Sequence, residues 1–71
     1  MVLTIKAARV NCNLTIVQAA QELGINKDTL SRLERNSTDI SISLAQKMTQ
    51  LYHVPLENLF FGKLEDFKVG E

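Results

Sequence analysis

The 71-residue sequence has little that could cross-link the chain or anchor it in a membrane. Its one cysteine, Cys12, can form neither an internal disulfide nor a zinc site, which is typical of proteins in a reducing cytosol. No apolar run approaches the ~18–20 residues that a membrane-spanning helix needs. Residues 1–5 are too short, and have no basic flank, to be a secretory signal. We therefore expect a cytoplasmic protein without membrane contact.

The sequence also lacks net charge, because eight lysines and arginines balance eight acidic residues. Residues 1–38 contain five basic and three acidic side chains, whereas residues 39–71 contain three basic and five acidic ones. This mild dipole is not the strongly basic charge distribution of proteins that bind nucleic acid without sequence preference. Any nucleic-acid binding would have to depend on a local face.

Few residues interrupt helices. The three glycines and the single proline fall at Gly24, Pro55, Gly62 and Gly70, which leaves long stretches free to be helical. The apolar–polar alternation that predicts strands is not sustained anywhere. The length allows one domain, and 45% hydrophobic residues is the usual fraction for a globular chain. The sequence thus predicts an all-α fold, a compact bundle of four to five short helices.

Capping residues set the expected helix boundaries. Three polar residues can accept a hydrogen bond from a first helical turn, and three others tolerate the positive φ of a left-handed C-cap. The N-caps are Thr15, Asn26 and Ser41, and the C-caps are Gly24, Asn36 and His53. The predicted helices span residues 3–11, Ile16–Leu23, Lys27–Arg35, Ile42–Tyr52 and 55–60.

The second and third predicted helices are joined by only Gly24-Ile25-Asn26. So short a connection with a glycine forces a steep crossing, which is the helix-turn-helix arrangement. On a helical wheel, Leu30 and Leu33 mark the buried side of the third helix, and the opposite arc is entirely polar or charged. That arc contains Lys27, Asp28, Ser31, Arg32 and Arg35. These side chains can bond base edges or phosphates; the alternative is the solvated face of a surface helix.

Residues 15–36 resemble the helix-turn-helix of the lambda-repressor/Cro family, whose members are also called XRE-type regulators. The resemblance is carried in register by Ala19-Ala20, Leu23-Gly24-Ile25 and Thr29-Leu30-Ser31-Arg32-Leu33-Glu34. It continues in Ser41-Ile42-Ser43-Leu44-Ala45 and residues 54–61, and covers about residues 3–62. It implies a small regulator of phage or prophage type, with a helix-turn-helix domain over residues 1–62 and a short tail over residues 63–71.

The resemblance also implies roles for single residues. Base edges of a double-stranded DNA operator would be contacted by Lys27, Asp28, Ser31 and Arg32. Phosphates would be contacted by Thr15, Gln18, Asn26, Arg35 and Thr38. Arg9 and Glu34 would form an internal ion pair and would not contact DNA.

Three features depart from the family pattern. Ile16 stands where a DNA-contacting glutamine is common, and Ser37-Thr38-Asp39 offers hydroxyls and one acid where basic residues are common. Asp28 repels phosphate and could best accept a hydrogen bond from a cytosine amino group. These departures weaken the expected DNA affinity more than the expected fold. The leading hypothesis is a Cro-like transcriptional regulator. The alternative is a protein-binding module on the same fold, antirepressor-like or antitoxin-like, that acts through a partner protein.

No pattern in the sequence indicates catalysis or a cofactor. It contains no Ser-His-Asp set, no glycine-rich phosphate loop and no metal-ligand spacing. His53 has no second ligand and suits a helix end, while Cys12 suits a structural thiol. We expect a protein that is not an enzyme and binds no cofactor.

Three of the four aromatic residues lie between positions 60 and 67. The resemblance implies that Phe60 closes the core. Phe61, Leu64 and Phe67 then remain as a candidate surface for a homodimer or a partner protein, unless the tail folds back over its own core. A homodimer is expected because one recognition helix contacts few base pairs, whereas a two-fold dimer reads two half-sites.

Overall fold

The structure, a computed structural model, describes residues 1–67, so residues 68–71 of the predicted tail lie outside it. Four α-helices form most of the fold, accompanied by a two-stranded parallel sheet and two short 3-10 helices. In chain order these elements are β1 (Leu3–Thr4), α1 (Ile5–Asn11), α2 (Ile16–Leu23), α3 (Lys27–Arg35), α4 (Ile42–Tyr52), a 3-10 helix (Leu56–Asn58), β2 (Leu59–Phe60) and a second 3-10 helix (Leu64–Asp66). No helix within residues 1–67 is long and apolar enough to cross a membrane.

One hydrophobic core holds all four helices together. Each helix contributes residues at the three- and four-residue spacing that places side chains on one face. The core consists of Ile5, Ala8, Ala19, Ala20, Leu23, Leu30, Leu33, Met48, Tyr52 and Leu59. The small side chains of Ala19 and Ala20 are buried where α2 packs against its neighbours, which brings α2 close to α3 and α4.

Most predicted caps are confirmed. Thr15 and Gln18 form a capping box at the start of α2, in which each side chain accepts a hydrogen bond from the other residue's backbone N–H. Gly24 ends α2 at φ 73° and His53 ends α4 at φ 57°, both in the left-handed region. Because these signals are local, the predicted bounds of α2, α3 and α4 agree with the structure at both ends.

The sheet corrects the all-α prediction. Leu3 pairs with Leu59 and Thr4 with Phe60, so α1 begins at Ile5 rather than at Leu3. Thr4 also caps α1, because its Oγ1 accepts a hydrogen bond from the N–H of Ala7 at 3.0 Å. The predicted fifth helix over residues 55–60 is wrong: a single 3-10 turn gives way to β2, where strand pairing supplies the backbone hydrogen bonds.

Strand geometry also corrects the role of Phe60. Successive strand residues point to opposite faces, so Leu59 enters the core while Phe60 stays half-buried. The Phe60 ring meets the Phe67 ring edge-on, with 5.1 Å between centroids. Phe61 packs against the core, and Leu64 is 43% exposed. Of the three candidate surface residues, Leu64 is thus the most exposed.

Asn36 does not form the predicted left-handed cap. Its φ of −153° is extended, and its side-chain Oδ1 accepts hydrogen bonds from the backbone N–H and the hydroxyl of Thr38. Asparagine favours this side-chain turn as well as the left-handed region, and here the turn is stabilised by an antiparallel bridge between Asn36 and Lys63. The loop after α3 therefore leaves the helix towards the C-terminal segment.

Candidate nucleic-acid interface

The unit formed by α2, Gly24-Ile25-Asn26 and α3 is a helix-turn-helix. The left-handed Gly24 lets the N–H of Ile25 reach back to the carbonyl of Ala20 at 3.0 Å, which closes the end of α2. Asn26 then starts α3, since its Oδ1 accepts a hydrogen bond from the N–H of Asp28 at 2.7 Å. Two consecutive caps across three residues fix the direction in which α3 leaves α2.

Contacts with the core and with α1 fix the rotation of α3 about its own axis. Leu30 and Leu33 are buried in the core, as the wheel predicts. Arg9 on α1 donates to Glu34 on α3 from two nitrogens, with Nε–Oε2 at 2.6 Å and Nη2–Oε1 at 3.3 Å. Its third nitrogen donates to the carbonyl of Leu14 at 2.9 Å. This is the ion pair that the resemblance implied, and it leaves neither side chain available to a ligand.

The outward side of α3 brings together the side chains assigned to base edges. Lys27, Asp28, Arg32 and Arg35 are exposed, and Ser31 is half-buried between them and the core. Ile16 turns the other way and packs against the core. Its apolar side chain at the start of α2 thus has a packing role in this chain.

Two of the three cations on this face are already paired with carboxylates. Lys27 Nζ lies 3.6 Å from Asp28 Oδ1, and Arg32 Nη1 lies 3.3 Å from both carboxylate oxygens of Asp39. Asp39 belongs to the loop after α3. From the sequence, it could be interpreted only as an acidic residue where basic residues are common in the family. Its approach to Arg32 follows from the turn at Asn36, where the sequence predicted a left-handed cap instead. Arg35 completes the face, which carries three cations and two carboxylates.

The residues assigned to phosphates lie at three places in this unit: Thr15 and Gln18 at the start of α2, Asn26 in the turn, and Arg35 and Thr38 at and after the end of α3. The oxygens of Thr15 and Gln18 are engaged in the capping box, whereas the Gln18 amide nitrogen donates to no other group within residues 1–67. The Thr38 hydroxyl donates to Asn36 Oδ1 at 2.8 Å, so it presents mainly an acceptor. Ser37, counted as an available hydroxyl, is buried. Gln18 and Arg35 therefore remain the stronger phosphate donors.

Residues considered for chemistry have structural surroundings. The Cys12 thiol donates to the carbonyl of Tyr52 at 3.4 Å, and His53 occupies the C-cap of α4. Within residues 1–67, no group of three or more His, Cys, Asp or Glu side chains could hold a metal ion.

Comparison with known proteins adds two findings. A family model described as helix-turn-helix matches residues 5–59, which spans α1 to the first residue of β2. A protein of Archaeoglobus fulgidus, named an uncharacterized HTH-type transcriptional regulator, is 29% identical over 62 residues, which cover 87% of each chain.

Proposed function

The chain belongs to the helix-turn-helix family, and we propose that it is a transcriptional regulator that binds double-stranded operator DNA in a Cro-like manner. The observation that carries this proposal is the exposed polar face of α3, held outward by the Gly24 turn and by two buried leucines. An α-helix fits the major groove, where each base pair presents a distinct pattern of donors and acceptors.

In this proposal α3 lies in the major groove. Its nine residues span about 13 Å, enough to face roughly four base pairs. Lys27, Asp28, Ser31 and Arg32 contact base edges. Arg35 and the start of α2 contact phosphates, since the Gln18 backbone N–H is used by Thr15 but the Gln18 amide nitrogen and the N–H groups of Ile16 and Val17 have no acceptor within residues 1–67.

Four base pairs are too few for an operator, so the regulator is proposed to act as a two-fold homodimer. Its recognition helices would then lie about 34 Å apart, one turn of DNA. The proposed dimer surface follows β2 and consists of the exposed Leu64 and the half-buried Phe61 and Phe67. Sedimentation at several concentrations tests this, with Leu64→Ser as the variant. A wild type that is monomeric at hundreds of micromolar contradicts the dimer.

Operator binding is tested by two arginine variants of the same face. A duplex selected by the protein from a random library serves as the operator, and a scrambled duplex of equal composition is the control. Arg32→Ala is expected to lower operator affinity by ~1–3 kcal/mol and to reduce discrimination. Arg35→Ala is expected to weaken both duplexes alike and to lower the salt slope by about one. Equal, sequence-independent losses from both variants would contradict base contact by Arg32.

A second candidate function is recognition of a partner protein by the same face, as in an antirepressor-like or antitoxin-like module. The observation that favours it is the pairing of Lys27 and Arg32 with carboxylates, which leaves a face of low net charge. This function predicts that the wild type selects no duplex, even at low salt where phosphate attraction is strongest.

A further inference from the structure

Arg32 is held by a carboxylate that leaves part of its guanidinium unused. Both oxygens of Asp39 accept from the same nitrogen, Nη1, at 3.3 Å. Within residues 1–67, Arg32 Nε and Nη2 donate to no other group. Because a guanidinium is planar, Nε–H and one Nη2–H form a parallel pair of donors on its other side. That pair matches O6 and N7 of guanine, the commonest specific arginine contact in the major groove.

Asp39 is itself held in place. The preceding Ser37 is buried, its N–H donates to the carbonyl of Gly62 at 2.9 Å, and the N–H of Gly62 donates back to the Ser37 hydroxyl at 2.8 Å. On the other side, the N–H of Ile40 donates to the carbonyl of Ser37 at 3.2 Å, which closes a turn around Thr38 and Asp39. The Asp39 carboxylate therefore belongs to a loop that is hydrogen-bonded to the rest of the domain.

We propose that Asp39 is a positioning and specificity-determining residue for DNA, which orients Arg32 side-on towards a guanine. The inference rests on the proposed operator binding. The side chains of Arg32 and Asp39 are 53% and 65% exposed, so their pairing favours some Arg32 rotamers without fixing one, and less freedom is lost on binding the base. The same carboxylate repels phosphates, which penalises complexes in which Arg32 would grip the DNA backbone without reading a base.

The decisive variant is Asp39→Asn, measured by fluorescence anisotropy against the selected and the scrambled duplex. The ratio of operator affinity to scrambled-duplex affinity is expected to fall by about 2–5-fold, the range for an ion pair whose side chains are 53% and 65% exposed. Affinity for the scrambled duplex is expected to rise by about 2–5-fold, because a negative charge has left the DNA face. A fall in this ratio is the signature of positioning, since loss of charge alone raises both affinities by the same factor.

Three further variants isolate the effect. Glu57→Gln makes the same charge change on the 3-10 helix that packs against α4, and it is expected to leave the affinity ratio unchanged. In an Arg32→Ala background, Asp39→Asn is expected to lose its effect on the affinity ratio, since there is no guanidinium left to orient. Asp39→Glu keeps the charge and is expected to restore part of the discrimination. A thermal melt of each variant verifies folding.

The possible failures are distinguishable. If Asp39→Asn raises affinity for both duplexes by the same factor, or leaves the ratio unchanged, the carboxylate does not position Arg32 and the inference is overturned while operator binding stands. If the wild type selects no duplex, operator binding itself fails and the inference falls with it. An undiminished effect of Asp39→Asn on the affinity ratio in the Arg32→Ala background also overturns the inference.

Discussion

Removing Glu34 is expected to destabilise the whole domain, because it would leave Arg9 without its ionic partner inside the protein. The side chains of Arg9 and Glu34 are only 11% and 8% exposed. In Glu34→Ala, one guanidinium nitrogen would keep the Leu14 carbonyl at 2.9 Å, and the two that face the carboxylate would lose their acceptors. Breaking a buried pair from one side costs ~3–5 kcal/mol.

The size of this loss can be compared with the stability of the domain. At ~0.05–0.15 kcal/mol per residue, a chain of this length has about 4–10 kcal/mol in total. Each kcal/mol moves the melting temperature of so small a domain by roughly 4–8 °C. We therefore expect Glu34→Ala to lower the melting temperature by on the order of 20 °C, measured by circular dichroism at 222 nm.

Two controls separate the buried charge from other effects. Glu22→Ala removes an exposed carboxylate from α2 and is expected to change stability by no more than about 0.5 kcal/mol. The double variant Arg9→Met/Glu34→Leu removes both charges and is expected to recover much of the lost stability, since apolar replacements of a buried pair are often neutral. A Glu34→Ala protein that melts within 2 °C of the wild type would refute the reasoning.

Three smaller perturbations test single positions by the same melts. Gly24→Ala is expected to lower the free energy of unfolding by ~1 kcal/mol. An added Cβ meets nothing within 4 Å, so this loss reports the backbone strain at φ 73°. An unchanged stability would contradict the left-handed cap. His53→Gly is expected to gain roughly 0.5–1 kcal/mol, because glycine relieves the strain at φ 57°, and a loss would contradict this. Burial, followed by the charge of Glu34, raises the pKa of Tyr52 from 10.0 to about 12. Because the phenol ionises at lower pH in the unfolded chain, the wild type is expected to lose stability from pH 10 to about 12. Tyr52→Phe is expected to abolish that alkaline loss of stability. It is expected to cost little at pH 7, since the hydroxyl has no hydrogen-bond partner within residues 1–67. An alkaline loss that persists in Tyr52→Phe would refute the assignment.

The parts of the fold that sequence predicted are those set by neighbouring residues. A capping box needs only Thr15 and Gln18, and a left-handed cap needs only a residue that tolerates positive φ. Where two local outcomes suit the same residue, as at Asn36, sequence alone favoured the wrong one. The strand pairing of Leu3 with Leu59 joins residues far apart in the chain, and two residues are too few to show a strand pattern.

The candidate site divides in the same way. The face of α3 follows from its helical period, whereas the partner of Arg32 could not be found from the sequence. Asp39 lies seven residues beyond Arg32, past a helix end, and its position depends on hydrogen bonds with Gly62 that the sequence does not signal. The Arg9–Glu34 pair came from family resemblance and not from spacing.

The segment after β2 connects the two surfaces that the proposals use. Gly62 holds the loop that carries Asp39, Lys63 bridges to Asn36, and Leu64 follows at once as the exposed part of the candidate dimer surface. The hydrogen bonds between Ser37 and Gly62 therefore place the loop that carries Asp39 directly beside the exposed Leu64 side of this segment. The proposed dimer surface and the proposed base-reading face thus share one short segment, residues 61–64, so Leu64→Ser also has to be checked for its effect on DNA discrimination.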